Sequence, residues 1–393
     1  MKKVESYICP VCGNADPRYI GHLNGKPYCR RCISFRGEEA ERRTVSPKNA
    51  ILDLKYALSP EQKGISEQVV KNYRQGIDTL VYAVCGSGKT EISYGIIGEC
   101  VAKGLTVGFA LPRRDVVVEL FYRLKSAFPH NKVVAVYGGH TEDKIGDIIV
   151  LTTHQLYRYP KYFDLLVMDE IDAFPYKGNQ VLIQMFRRSL RGHCVMMSAT
   201  PSEMIRREFS QKGRAIVELN TRFHRQPIPV PKILVRPLFL KHLVLLKKLK
   251  EYQKRKKPCF VFVPSIGMAR SLFRFTSTFI PHGNYVSSKR KKRPQIIEAF
   301  RNGRYSYLVT TAVLERGVTV KDIQVIVFHA DSRIYNSATL IQISGRVGRK
   351  VGATDGDVWF LCDKKTPSME KAIKTIERSN SFLPGVLPKH RSK

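Results

Sequence analysis

From about residue 50 onward, short apolar, β-prone runs alternate with longer stretches whose apolar residues recur at helical spacing. In the first half the runs are 80–84, 107–111, 133–136, 148–151, 165–168 and 194–197, and the second half repeats the theme at 259–263, 307–309, 325–328 and 358–361. Runs this continuously apolar predict strands buried on both faces, and the intervening segments predict helices that cover them, as Ile92, Ile96, Ile97, Cys100 and Val101 do after the first run. Pro227, Pro229 and Pro231 crowd the segment 222–231, which disfavours helix and sheet interior and reads as a linker. The pattern therefore predicts an α/β protein with two parallel-sheet domains, 50–222 and 232–393, and a ligand cleft between them. Residues 1–45 are compositionally separate, rich in cysteine and arginine, and read as a small appended module.

Charge sharpens the picture. Among 393 residues, 67 lysines and arginines face 33 acidic residues, a formal charge of +34, far beyond what solubility requires, and it predicts a polyanionic partner. No stretch reaches the length of a membrane helix, and the start Met-Lys-Lys-Val-Glu-Ser lacks the apolar region of a signal peptide. The expectation is a cytoplasmic protein with no direct membrane insertion, peripheral at the inner face of the cell membrane only through a docking partner.

Four of the nine cysteines form the pairs Cys9/Cys12 and Cys29/Cys32 with 16 residues between them. This is the spacing of a four-thiolate zinc ribbon, so Zn²⁺ is the predicted metal and a redox dithiol pair the alternative. Loss of one ligand is expected to release the metal and unfold so small a module. Arg30, Arg31 and Arg36 with Tyr19, Tyr28 and Phe35 suit a single-strand grip by charge and stacking, while fingers of this size equally serve protein contacts. Cys85 reads as a small core filler, and His140 and His154 as backbone or DNA contacts, since neither has a partner at metal-ligand spacing.

The chemistry gathers beyond the predicted strand ends, where ligands bind in open parallel sheets. After 80–84 come Gly86, Ser87, Gly88, Lys89, Thr90 and Glu91, then the helical segment. The glycines let backbone N–H groups turn around phosphate oxygens, Lys89 adds a cation, and Thr90 offers a hydroxyl to Mg²⁺. A strict phosphate loop has glycine at position 83, where this chain has Ala83. The run 165–168 ends in Asp169, Glu170 and Asp172, with Asp169 suited to Mg²⁺ and Glu170 to polarising the attacking water. Ser198 and Thr200 close the run 194–197 and are candidates for relaying nucleotide state. In the second half, Gln342 to Arg349 places Arg346 and Arg349 on one helical face, able to reach a transferring phosphoryl group from a second domain. Thr310 and Thr311 put hydroxyls at another strand end as candidate DNA contacts, and Glu315, Arg316 and Gly317, which follow, join Asp172, Ser198 and Thr200 as candidate coupling residues.

In this order the segments resemble the motifs of superfamily 2 helicases, whose phosphate loop commonly begins with alanine, as Ala83 to Thr90 does. The resemblance spans about 58–350 and implies two tandem RecA-like domains, preceded here by the zinc-ribbon module. It implies that Gln62 reads adenine, that Pro112, Arg113, Thr152, Thr153, His154 and Gln155 lie along the nucleic-acid backbone, and that Gln342, Arg346 and Arg349 form the arginine-finger motif. The segments Gly-Lys-Thr-Glu, Asp-Glu-Ile-Asp-Ala-Phe-Pro, Thr-Thr-His-Gln-Leu and Leu-Glu-Arg-Gly-Val-Thr are closer still to the ComFA-type late-competence ATPases. That resemblance implies a DNA-dependent ATPase using ATP and Mg²⁺, acting on single-stranded DNA during natural transformation beside competence proteins at a membrane DNA channel. Thr319 stands where many relatives carry an acid that touches the ribose, and nothing in the chain marks a strand-separating wedge.

Two rivals come from other directions. PriA-like restart or repair helicases share Gly-Ser-Gly-Lys-Thr-Glu but carry their zinc cysteines inside the helicase part, and Asp-Glu-Ile-Asp departs from the Asp-Glu-Ala-Asp of RNA helicases. A non-enzymatic zinc-ribbon DNA-binding adaptor is opposed by the intact Lys89, Glu170 and Arg349.

Overall fold

The computed structural model describes residues 7–35, 37–42, 47, 52–54, 57–290, 292–311, 320–349, 352 and 356–383. The chain forms two compact units, Met1–Ala83 with Gly88–Leu219, and Val84–Ser87 with Asn220–Lys393. Arg222, read from sequence as the end of the first domain, thus belongs with the second.

The first unit opens with a small antiparallel hairpin of β1 (Ile20–Leu23) and β2 (Lys26–Cys29). Its main body is a seven-stranded, all-parallel sheet in the order β5 (Val133–Val136), β6 (Ile148–Thr152), β4 (Val107–Leu111), β7 (Phe163–Met168), β8 (Leu190–Ser198), β3 (Asp78–Ala83), β9 (Arg214–Leu219). Helices α1 (Pro60–Arg74), α2 (Lys89–Ala102), α3 (Arg114–Ala127), α4 (Gln180–Ser189) and α5 (Glu203–Phe209) connect and cover the strands. Every residue of β4, β6 and β7 is buried, which is why those segments read as unbroken apolar runs.

The second unit repeats the design. Its six-stranded parallel sheet runs β10 (Lys232–Val235), β15 (Val358–Cys362), β14 (Gln324–Phe328), β11 (Cys259–Phe262), β13 (Tyr307–Thr310), β12 (Gly283–Val286), with α6 (Leu238–Lys254), α7 (Ile266–Phe279), α8 (Arg293–Arg301), α9 (Ser337–Ser344) and α10 (Pro367–Asn380) around it. Polar caps start three of these helices, with Ser265, Asn336 and Thr366 each accepting a backbone N–H at α7, α9 and α10. The fold is therefore two parallel-sheet RecA-like domains, and among the described residues no helix is long and apolar enough to cross a membrane.

The cysteine module is not a free appendage. Tyr7, Val11, Ile20 and Phe35 pack into one apolar cluster with Leu156, Leu182 and Phe186 of the first sheet domain. The Ala40 N–H donates to the Arg158 carbonyl at 2.7 Å, and the Arg158 guanidinium returns a bond to the Glu38 carbonyl at 2.9 Å. Ion pairs Glu38–Lys144, Glu39–Arg188 and Arg42–Asp164 ring the contact. The first two, with exposed carboxylates, contribute about 0–1 kcal/mol each, while the Arg42–Asp164 pair ends on a buried carboxylate.

Candidate functional site

Strand register collects the chemistry on one edge. Tyr82 of β3 pairs with Ser198 of β8, and Met168 of β7 pairs with Met196 of β8, so the carboxyl ends of three neighbouring strands lie side by side. From them emerge the phosphate loop, Asp169–Glu170, and Ser198–Thr200.

The loop between β3 and α2 holds Gly86 at φ 84° and Gly88 at φ 76°, both left-handed, and α2 starts at Lys89 with Gly88 as its N-cap. A β-carbon at Gly88 would overlap the Gln62 Nε2, so both the conformation and the space demand glycine. Lys89 Nζ donates to the Ala83 carbonyl at 3.1 Å and keeps a cation at the loop. Gln62 sits beneath, 2% exposed, locked in a capping box in which it accepts from the Ser59 N–H at 2.9 Å and gives its own N–H to Ser59 Oγ at 3.2 Å. Glu91, in the first turn of α2, pairs with Arg123. The open amides of the helix start, Lys89 and the hard oxygens of Thr90 and Asp169 suit a magnesium-bound triphosphate.

Asp169 Oδ1 accepts the Glu170 N–H at 2.7 Å, and Glu170 itself holds φ 58°. A left-handed glutamate costs about 1–3 kcal/mol, a cost that proteins tolerate mainly at working sites. Three residues on, Asp172 accepts from Ser198 Oγ at 2.8 Å and from Thr200 Oγ1 at 2.7 Å, and Ser198 Oγ also accepts the Thr200 N–H at 3.0 Å. The acidic turn after β7 and the hydroxyl turn after β8 are thus one hydrogen-bonded body. Asp172→Ala removes the acceptor for both hydroxyls; charge-assisted bonds contribute about 1.5–3 kcal/mol each, so stimulation of ATPase by DNA should fall about tenfold or more while binding of a fluorescent nucleotide persists. Stimulation equal to wild type would separate these turns from coupling.

The four thiols meet as the spacing requires. Cys9, Cys12, Cys29 and Cys32 are all buried with their sulfurs within 4.8 Å of one another, Cys9 to Cys32 at 3.5 Å and Cys12 to Cys29 at 3.6 Å. A tetrahedron with zinc–sulfur bonds of about 2.3 Å has edges near 3.8 Å. Burial pushes the Cys12 thiol up to about 11 and raises Cys32 as well, so their ionisation needs a compensating cation. The donor set fits zinc.

Several expectations change. Arg346 and Arg349 do not share a helical face: α9 stops at Ser344, Gly345 caps it, and both arginines lie on the turn that follows, where Gly348 takes φ 68°. Arg346 is 2% exposed, and Arg349 Nε donates to the Gly345 carbonyl at 3.0 Å. Gln342 lies buried in the last turn of α9. Of the residues expected along nucleic acid, the side chains of Thr152, Thr153, Gln155 and Thr310 are buried, because the turn after β6 folds into a 3-10 helix, Thr153–Arg158, against the core and Thr310 belongs to a central strand. Gln155 accepts from Arg158 Nε at 2.7 Å, and those two stretches can offer a strand mainly their backbone. Arg113 is the N-cap residue of α3 and pairs with Asp115 at 2.8 Å, beside Pro112, while Thr311 directly follows β13. Phe35 does not face outward as a stacking platform but lies on His154, ring centroids 5.9 Å apart, and near Tyr157 at 6.0 Å. Burial holds the His154 ring below its ordinary pKa. Arg31 stacks on Tyr19 at 4.2 Å. Arg36, Glu315, Arg316, Gly317 and Thr319 lie outside the described residues.

Two RecA-like domains with a phosphate loop, an acidic pair and a hydroxyl turn on adjacent strand ends define a helicase-class ATPase. A DEAD/DEAH box helicase family model matches residues 63–207, and a helicase conserved C-terminal domain model matches 240–351. Competence protein ComFA of Bacillus subtilis is 34% identical over 96% of this chain and 86% of its own length, and that of Streptococcus pneumoniae is 33% identical over 91% and 86%. The chain belongs to the ComFA family of competence proteins. Among solved structures, yeast Dbp5 bound to RNA and ADP BeF3 superposes with a TM-score of 0.61 at 18% identity, covering 82% of this chain and 92% of Dbp5, a likeness of fold.

Proposed function

We propose that the chain is a DNA-stimulated ATPase that moves along single-stranded DNA in natural transformation. The observation that carries the chemistry is the common edge of β3, β7 and β8, where Lys89, Thr90, Asp169 and Glu170 emerge from neighbouring strand ends. ComFA membership supports the biological setting, and +34 of formal charge supports a polyanionic track.

In this reading the loop amides and Lys89 bind the phosphates, while Thr90 and Asp169 hold Mg²⁺, which neutralises phosphate charge when bound. Glu170 orients water and takes its proton, and Arg346 and Arg349 meet the developing charge on the γ-phosphate. The Asp172–Ser198–Thr200 body passes the state of the nucleotide to the loops after β4 and β6, which hold the strand. Alternation between two grips then produces movement. The zinc module, with Arg30, Arg31 and Tyr19, extends the basic surface, and docking to partners supplies any association with a membrane channel.

ATPase rates with single-stranded DNA, duplex DNA and RNA test this, and the largest stimulation is expected from single-stranded DNA. Its binding should weaken with salt by roughly 0.7 log units per log unit of salt for each phosphate contacted, giving a slope of several units. Equal rates with and without DNA would overturn the motor, and a flat salt profile would remove the charge from DNA binding.

A further inference from the structure

The turn that carries Arg346 and Arg349 is held by a third arginine. Arg222, three residues after β9 ends and inside the proline-rich segment, is 3% exposed. Its Nη1 donates to the carbonyls of Val347 and Gly348, both at 2.9 Å, and its Nη2 to the carbonyl of Gly345 at 3.1 Å. These carbonyls belong to the C-cap of α9 and the turn after it, beyond the helix's own hydrogen-bond ladder, and the planar guanidinium fork is shaped to reach several at once.

The choice of partner matters. Among the described residues no carboxylate pairs with Arg222. Burial, and the neighbouring charge of Arg349, lower its pKa to about 10, so keeping this cation here is costly. A carboxylate would have neutralised it more cheaply, but an acid on this turn would also compete for Arg346 and Arg349. Backbone carbonyls fix the turn without placing a negative charge beside the fingers. The Gly345 carbonyl is shared, accepting from Arg222 Nη2 and from Arg349 Nε, so the clamp and one finger meet on a single oxygen.

We propose that Arg222 is a positioning residue for ATP hydrolysis: its guanidinium clamps the turn from Gly345 to Arg349 in the shape that presents the finger arginines, and joins that turn to the segment leaving β9. The proposal rests on Arg346 and Arg349 acting as fingers, and the experiment separates the two.

The full-length protein is compared as wild type, Arg222→Ala, Arg222→Lys, Arg349→Ala and the double variant Arg222→Ala/Arg349→Ala, reading DNA-stimulated kcat, KM for ATP, affinity for a fluorescent ADP and Tm. Expected is a fall in kcat of about ten- to a hundredfold for Arg222→Ala, with ADP affinity unchanged. Arg222→Lys should restore part of the rate, because an ammonium reaches fewer carbonyls. The double variant should lose less than the product of the two single losses, since with Arg349 gone the clamp has only Arg346 left to position. Wild-type kcat in Arg349→Ala would sink the finger reading and the clamp with it. A slow Arg349→Ala combined with a normal Arg222→Ala, or with losses that multiply in the double variant, would overturn the clamp alone. If Arg222→Ala does not fold, Arg222→Lys carries the same cycle.

Discussion

Glu170→Gln should reduce DNA-stimulated ATP hydrolysis by about 10²- to 10⁴-fold, the range general-base catalysis commonly supplies, and leave nucleotide binding intact. The amide keeps the shape of the carboxylate but cannot accept a proton from water. The backbone around it should not relax, because the left-handed conformation of Glu170 is fixed by the turn and by Asp169 accepting its N–H, neither of which involves the substituted atoms. The variant should therefore accumulate with ATP and DNA bound, visible as a slower-dissociating ternary complex. Lys89→Ala is the contrast: it removes phosphate charge at the loop and should lose nucleotide affinity along with rate. The check is a single-turnover assay beside a fluorescent-nucleotide titration. Hydrolysis near the wild-type rate in Glu170→Gln would falsify the assignment of the water-activating role.

How much of this was legible in the sequence depends on what each residue touches. Each of the ten apolar runs is a strand in the structure, because a strand buried on both faces must be apolar throughout. The parallel strands the pattern missed, β9, β10 and β12, all lie at sheet edges, where half-burial admits Glu218, Lys232 and Asn284 and breaks the run. The phosphate loop and the acidic turn were readable because their chemistry needs particular residue types at fixed local spacing. Arg222 was not, since its partners are backbone carbonyls more than a hundred residues away and carry no side-chain signature. The arginine pair reads as helical for a related reason: spacing of three fits a helix, but Gly345 and Gly348 convert that stretch into a turn. The stacking role expected of Phe35 failed because composition cannot say which aromatic a neighbouring surface will cover.

Replacing Cys29 by serine should release zinc and change the first RecA-like domain as well as the module. The free energy of binding structural zinc to a four-ligand site is about 10–16 kcal/mol at neutral pH, far more than so small a segment can recover from its own core. Here the module does not unfold in isolation. Phe35, three residues past Cys32, lies on His154, and the Ala40 N–H bond to the Arg158 carbonyl with the Arg158 guanidinium bond to the Glu38 carbonyl links the same two segments. Without the metal, these contacts lose the scaffold that aims them, and the 3-10 helix Thr153–Arg158 loses its cover. The seven-stranded sheet has a second apolar cluster, with Phe109, Leu111, Leu165 and Val167, to which the module contributes no residue, and it should stay folded. Expected results are one zinc per chain in the wild type and none in Cys29→Ser by metal analysis, with faster amide exchange across 7–42 and 153–158. DNA affinity should fall while nucleotide affinity is retained, because the β6 turn is disturbed and the phosphate loop is not. Chelation of the wild type should reproduce the pattern and added zinc reverse it. Faster exchange confined to 7–42, with 153–158 unchanged, would show that the module docks without bracing that segment.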